Sequence, residues 1–211
     1  MNDAGTAILA LCGPSLVLIA VLSLVVVLWN RDRRALATAR AERDRLAEEL
    51  PPLRQENADY QRLVWLRSLS AVTYRNEVEV EAKFIAPLVA HLGFAPSQVD
   101  LRVPVAVQVG RDNRNGVADW LLWSPDHSKV VAVVEAKRPQ DTLNGRVQGQ
   151  ARSYAFALGA PMFLIANGYR LQIYRRGVEA DQCLVDCKVA DLVDQWPIIS
   201  AAINPNGGHH A

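Results

Sequence analysis

The chain is poor in the residues on which several chemistries depend. It holds 3 cysteines and 4 histidines among 211 residues. Cys12, Cys183 and Cys187 have neither a second pair nor neighbouring histidines to complete a zinc site, and they read as thiols in a reducing compartment. His91, His127, His209 and His210 show no ligand spacing with acids or cysteines. No Gly-x-Ser-x-Gly elbow and no phosphate-cradling Gly-rich loop occurs, so serine-nucleophile and P-loop chemistry lack their residues and no nucleotide cofactor is expected. A bias towards one sign of charge is missing too. The formal net charge is +1, and from Val72 to Ala211 14 Lys plus Arg face 14 Asp plus Glu. The totals therefore carry no electrostatic footprint of a tight nucleic-acid binder.

What the chain does have is one long apolar run. Residues Thr6 to Trp29 are almost wholly uncharged, broken only by Gly13-Pro14 and a few serines, and a bilayer core needs roughly 20 such residues as helix. The reading is a transmembrane helix over 6–29. A signal peptide would want a basic start and a small-residue cleavage site, whereas this start carries Asp3 alone and the run ends in Leu28-Trp29-Asn30-Arg31. Arg31, Arg33 and Arg34 follow, while the short N-terminal tail has no basic side chain, so the positive-inside bias puts the C-terminal bulk in the cytoplasm. The expectation is a single-pass protein of the inner (cytoplasmic) membrane.

Residues 31–67 read as a helical spacer. Leu36, Ala39, Leu46, Leu50, Leu53, Tyr60 and Val64, with Arg43 and Asn57 in the gaps, follow a heptad frame that suits a coiled coil and a homo-oligomer. A solvated charged spacer fits the same pattern. Pro51-Pro52 predicts two helices with a kink between them.

The globular part is expected over 68–203, with a disordered tail at 204–211. Glu77 to Leu92 carries an apolar stripe at helical spacing and ends at Gly93, with a bend predicted at Pro87. Val99 to Val109, a polar turn 110–116 and Val117 to Trp123 read as a hairpin. Val130 to Ala136 is nearly continuous apolar sequence, the mark of a central strand buried on both faces. Leu143 to Leu158 is helical in spacing. Pro161 to Ala166 and Leu171 to Tyr174 read as strands joined by an Asn167-Gly168 type I′ turn, and Asp191 to Ile203 adds a helix interrupted by Pro197. The fold class is α/β, a mixed sheet flanked by helices, in which neighbouring strand ends converge on one site.

At those strand ends lie Asp119 and, after the apolar run, Glu135-Ala136-Lys137. The strand period of two places Glu135 and Lys137 on one face, with the Ala136 carbonyl between them. Magnesium takes oxygen ligands, commonly one or two carboxylates. Asp119, Glu135 and the Ala136 carbonyl are therefore the candidate metal ligands, and Lys137 is placed to hold a water and counter charge on a phosphate. The alternative is an ordinary strand-end ion pair and a turn-capping Asp119. Gln150 and Tyr154, four apart on the next helix, face the same way.

These segments together resemble a known family. Asn76-Glu77-Val78-Glu79-Val80-Glu81, Leu92-Gly93-Phe94, Ala118-Asp119-Trp120, Val133-Val134-Glu135-Ala136-Lys137-Arg138-Pro139, Gln150-Ala151-Arg152-Ser153-Tyr154 and Ala166-Asn167-Gly168 occur in the order found in the N-terminal nuclease domain of type I restriction enzyme motor subunits. That domain is a branch of the PD-(D/E)xK phosphodiesterases. The resemblance implies a restriction-endonuclease-like fold and a Mg2+-dependent (or Mn2+-dependent) endodeoxyribonuclease core. Asp119, Glu135 and Lys137 match its catalytic trio, and Gln150 with Tyr154 match its Gln-x-x-x-Tyr motif. The first-helix glutamate aligns with Glu77, Glu81 lies one turn further along the same face, and Glu79 should point elsewhere. No helicase motor or Walker motif accompanies these residues, so only the nuclease-type core is expected to carry over. The leading expectation is a membrane-anchored, cytoplasm-facing endonuclease that acts on DNA, in defence against foreign DNA. The alternatives are a non-cleaving nucleic-acid-binding or sensing module and a membrane-tethered assembly protein.

Overall fold

The computed structural model describes residues 37–109 and 112–206, with 39, 49 and 54 excepted. The span expected at 6–29, the start of the spacer and most of the tail lie outside the described residues. Among the described residues no helix is long and apolar enough to cross a membrane. Two compact units are distinguished, Met1–Asn57 and Ala58–Ala211. In the first, the described residues are helical, and Leu46, Leu50 and Leu53 of the heptad frame are exposed in the single chain. Pro51 and Pro52 carry helical backbone.

The second unit is a sheet clothed by helices on both faces. Helix α1, of which residues 58–68 belong to this unit, leads through a short 3-10 turn to α2 (Glu77–Val80), a wide π turn (Glu81–Ile85) and α3 (Ala86–His91). Asn76 starts α2 by accepting from the Glu79 backbone N–H at 2.9 Å. The bend expected at Pro87 is taken up by the π turn just before it, where the Ala86 N–H reaches the Glu81 carbonyl five residues back. The turn also aligns the core stripe. Val80, Phe84 and Leu88 are all 0 % exposed, yet four-residue steps overrun a 3.6-residue turn, and a wider turn absorbs the drift.

Six strands follow: β1 (Val99–Val109), β2 (Asp112–Trp123), β3 (Val130–Ala136), β4 (Met162–Ala166), β5 (Arg170–Arg175) and β6 (Gln182–Lys188). They lie side by side in chain order, and every pairing is antiparallel except β3 with β4. That parallel step is bridged by α4 (Gly145–Ala157), as a parallel connection requires. α5 (Leu192–Ala202) closes the unit.

The alternation of β3 and β4 serves two cores. Val133, Phe163 and Ile165 pack under Ala151, Tyr154 and Ala155 of α4. Ala132, Val134 and Leu164 face the opposite way, against Phe84, Leu88, Leu192 and Ile199. Trp65 of α1 stacks on Phe84 at 6.2 Å and meets Trp196 edge-on at 6.2 Å, tying α1 to that second layer. Each such large apolar side chain contributes about 1.5–3 kcal/mol on burial.

Two expectations are corrected here. The polar segment expected as a turn over 110–116 is strand from Asp112, because ladder bonds come from the backbone and tolerate polar side chains there. The β4–β5 loop consists of Gly168 and Tyr169, with Asn167 and Arg170 as the closing pair. Only Gly168 has positive φ, so this is not the type I′ form, which needs two such residues.

Candidate active site

The site grows from one rung of the sheet. The β2–β3 ladder ends at Trp120↔Val134, so continuing its register sets Asp119 opposite Glu135. On the other side, β1 pairs Leu101 with Trp120 and Val103 with Ala118 but skips Arg102 and Asp119. Arg102 there adopts φ +56°, the left-handed region that a branched or long side chain rarely enters. Arg102, Asp119 and Glu135 thus share a rung on three neighbouring strands where pairing is interrupted. The Ala136 N–H, left without a ladder partner on β2, donates to Asp119 Oδ2 at 2.9 Å.

Helix α2 and the π turn after it bring one more acid each to that rung. Carboxylate oxygens of Glu77, Glu81 and Asp119 all lie within 4.8 Å of one another. Arg102 spans the group: Nη1 donates to Asp119 Oδ1 at 2.7 Å and Nη2 to Glu81 Oε1 at 2.5 Å. Burial pushes the Glu81 carboxyl above its ordinary range; the Arg102 guanidinium opposes this, while the charges of Asp119 and Glu77 add to it. Glu79 points elsewhere, as expected, pairing with Lys83 at 2.9 Å and with Arg75.

Glu135 makes a second group with α4. Its Oε1 accepts from Lys137 Nζ at 2.5 Å and from Gln150 Nε2 at 2.6 Å, and Gln150 also reaches the Tyr154 hydroxyl at 3.3 Å. Tyr154 lies against Gly116 of β2, where an added Cβ would stand 2.5 Å from its ring. Glu135 is 1 % exposed and its Oε2 has no hydrogen-bond partner among the described residues. Burial, with help from the charge of Asp119 and against the pull of Lys137, raises its carboxyl to about 7. A groove of about 450 Å³ opens beside Lys137 and Gln150, with Asn144 and Arg146 of the α4 start on its wall.

These residues fit a hard divalent cation. The donors are carboxylate oxygens, one buried carboxylate oxygen lacks a partner, and opposed ligands of Mg2+ stand about 4.1 Å apart. The oxygens of the three acids lie within 4.8 Å of one another, so the carboxylates would draw together around an ion. Glu77, Glu81 and Asp119 converge within 4.8 Å, and Glu135 lies across the rung from Asp119. Glu77 and Glu81 both reach Asp119.

Arg102 escaped the sequence reading. It occupies a polar position in an alternating strand, where a solvated side chain is the ordinary expectation, and nothing about an arginine announces positive φ.

Among solved structures, the chain is similar to the fragment of an HsdR subunit of a type I restriction enzyme from Vibrio vulnificus YJ016, at 21% identity and a TM-score of 0.42. The similarity covers 62% of this chain and 26% of that one. No curated protein matches the chain. The family model described as "Type I restriction enzyme R protein N terminus" matches residues 76–185, a stretch that includes every acid of the rung, Lys137 and the Gln150 and Tyr154 pair. The chain belongs to the family of type I restriction enzyme R protein N termini.

Proposed function

We propose that the chain is a metal-dependent endonuclease that hydrolyses phosphodiester bonds in DNA, held at the cytoplasmic face of the inner membrane by its 6–29 segment and active against foreign DNA. The observation that carries this reading is the shared rung, which sets Asp119 against Glu135 with Lys137 and Gln150 on the Glu135 side and Glu77 and Glu81 on the Asp119 side. Asp119, Glu135 and the Ala136 carbonyl would hold Mg2+ or Mn2+, with Glu77 or Glu81 as a further acid. When bound, such an ion supplies Lewis-acid polarisation of a phosphate oxygen.

The chain's own residues do the rest. Lys137, only 16 % exposed and anchored on Glu135, is held as a fixed donor at the mouth of the groove, where it orients the attacking water and meets charge developing on the phosphate. Gln150 fixes the Glu135 carboxylate, and Tyr154 fixes Gln150. Arg146 on the groove wall offers charge to the incoming strand. Residues 31–67 supply the spacer and, through their heptad frame, a means of self-association.

The test is cleavage of supercoiled plasmid by the full chain in mild detergent with Mg2+ or Mn2+, beside Asp119→Ala and Lys137→Ala. Nicked and linear products are expected from the wild type, with rates lower by about 10²-fold or more in either variant. Equal cleavage by all three would refute the reading. DNA binding without product under any divalent ion would replace it with the non-cleaving alternative.

A further inference from the structure

We propose that Arg102 is a built-in counter-cation of the acid cluster that must withdraw when a divalent ion binds. The inference rests on the metal-dependent reading above and deepens it.

The geometry gives the guanidinium an unusual seat. It bonds Asp119 Oδ1 at 2.7 Å and Glu81 Oε1 at 2.5 Å, so one planar cation spans two acids that belong to different elements, with Glu77 adjacent. An ion ligated by both oxygens would stand within about 2.6 Å of each, in the space the guanidinium fills. The two cations are therefore exclusive. Arg102 is also free to leave. Its side chain is 50 % exposed, whereas those of Glu81 and Asp119 are 15 % and 8 % exposed, so withdrawal opens the cluster without disturbing either core.

The backbone supports a purpose for this contact. Arg102 sits at φ +56° exactly where the β1–β2 ladder omits a pair, and a non-glycine residue in that region is held there by its surroundings, a pattern that concentrates at functional sites. A surface ion pair would not need an interrupted ladder. The second independent sign of a ligand is the Oε2 oxygen of Glu135 across the rung, buried without a partner. Arg102 satisfies the Asp119 side of the rung and leaves the Glu135 side incomplete.

A competitor that fills a site most of the time weakens apparent affinity by the fraction of time the site is open; occupancy of roughly nine tenths corresponds to about a tenfold loss. The experiment is titration of the full chain, in mild detergent, with Mn2+ by calorimetry, comparing wild type, Arg102→Gln, Arg102→Gly and Asp119→Ala. Both Arg102 variants should bind Mn2+ about tenfold more tightly than the wild type, and their melting temperature should rise further on adding it. The glycine variant keeps the test sound if glutamine is not tolerated at positive φ, since glycine adopts that region freely. Unchanged or weaker Mn2+ binding in both variants, with wild-type binding abolished by Asp119→Ala, overturns the inference and leaves the metal-dependent reading standing. Absence of Mn2+ binding in every protein overturns both.

Discussion

Glu135→Gln removes a proton-binding group whose affinity the fold has altered, and the change in stability that follows can be worked out with its sign. The carboxyl titrates at 4.5 when unperturbed and at about 7 in the fold, chiefly through burial and then through the charge of Asp119, with Lys137 opposing. Between those values the folded state retains a proton that the unfolded chain has released. Raising the pH through that window therefore favours unfolding, and the stability is fully present only below the lower value. At about 1.36 kcal/mol per pKa unit, the loss from about pH 5 to about pH 8 amounts to about 3 kcal/mol. Urea unfolding followed by tryptophan fluorescence, on wild type and Glu135→Gln at several pH values, gives the difference in unfolding free energy as a function of pH. That subtraction cancels groups common to both, including His91, whose pKa burial lowers and whose contribution runs the other way. The wild type should lose about 3 kcal/mol relative to the variant as pH rises across the window. A difference curve that is flat, or that rises with pH, would show that Glu135 is solvated or neutralised by its neighbours and that the burial argument is wrong.

Two other substitutions test how the site is supported. Gly116→Ala places a methyl group 2.5 Å from the Tyr154 ring, so the ring must move; a loss of about 1–3 kcal/mol is expected in urea unfolding, with weaker plasmid cleavage as Gln150 loses its backing. Asn76→Ala removes the cap that accepts from Glu79 N–H and should cost about 1 kcal/mol in the same assay, with a smaller rise in melting temperature on adding Mn2+ if α2 frays and Glu77 is no longer held.

The parts of the fold that were legible in the sequence are those where side-chain chemistry dictates backbone form. Val130 to Ala136 is apolar at nearly every position because both faces are covered, and it forms β3 with those bounds. The Glu135 and Lys137 pair and the Gln150 and Tyr154 pair were readable because strand and helix periods fix which residues share a face. β6 was not read, since Gln182–Lys188 mixes Cys, Asp and Lys on an edge strand whose burial is partial, and the pairing that defines it is made by backbone. The same holds for the polar half of β2. The π turn and the bend at Arg102 are backbone events decided by tertiary packing, and neither carries a residue type that would betray it. That Glu77 and Glu81 share a face was legible from their spacing of four, whereas their meeting with Asp119 of β2 is a tertiary contact that spacing does not reveal.

The wide turn at Glu81–Ile85 makes the aim of these acids a matter of residue count. Straightening the segment into an uninterrupted α-helix with every residue retained would swing everything upstream by about 100° relative to the anchored stripe below. Glu77 would then sweep off towards solvent although not one carboxylate had been altered. A homologue one residue shorter at that point could therefore carry its acids on a plain α-helix with the same aim, whereas an α-helix of unchanged length would misdirect them.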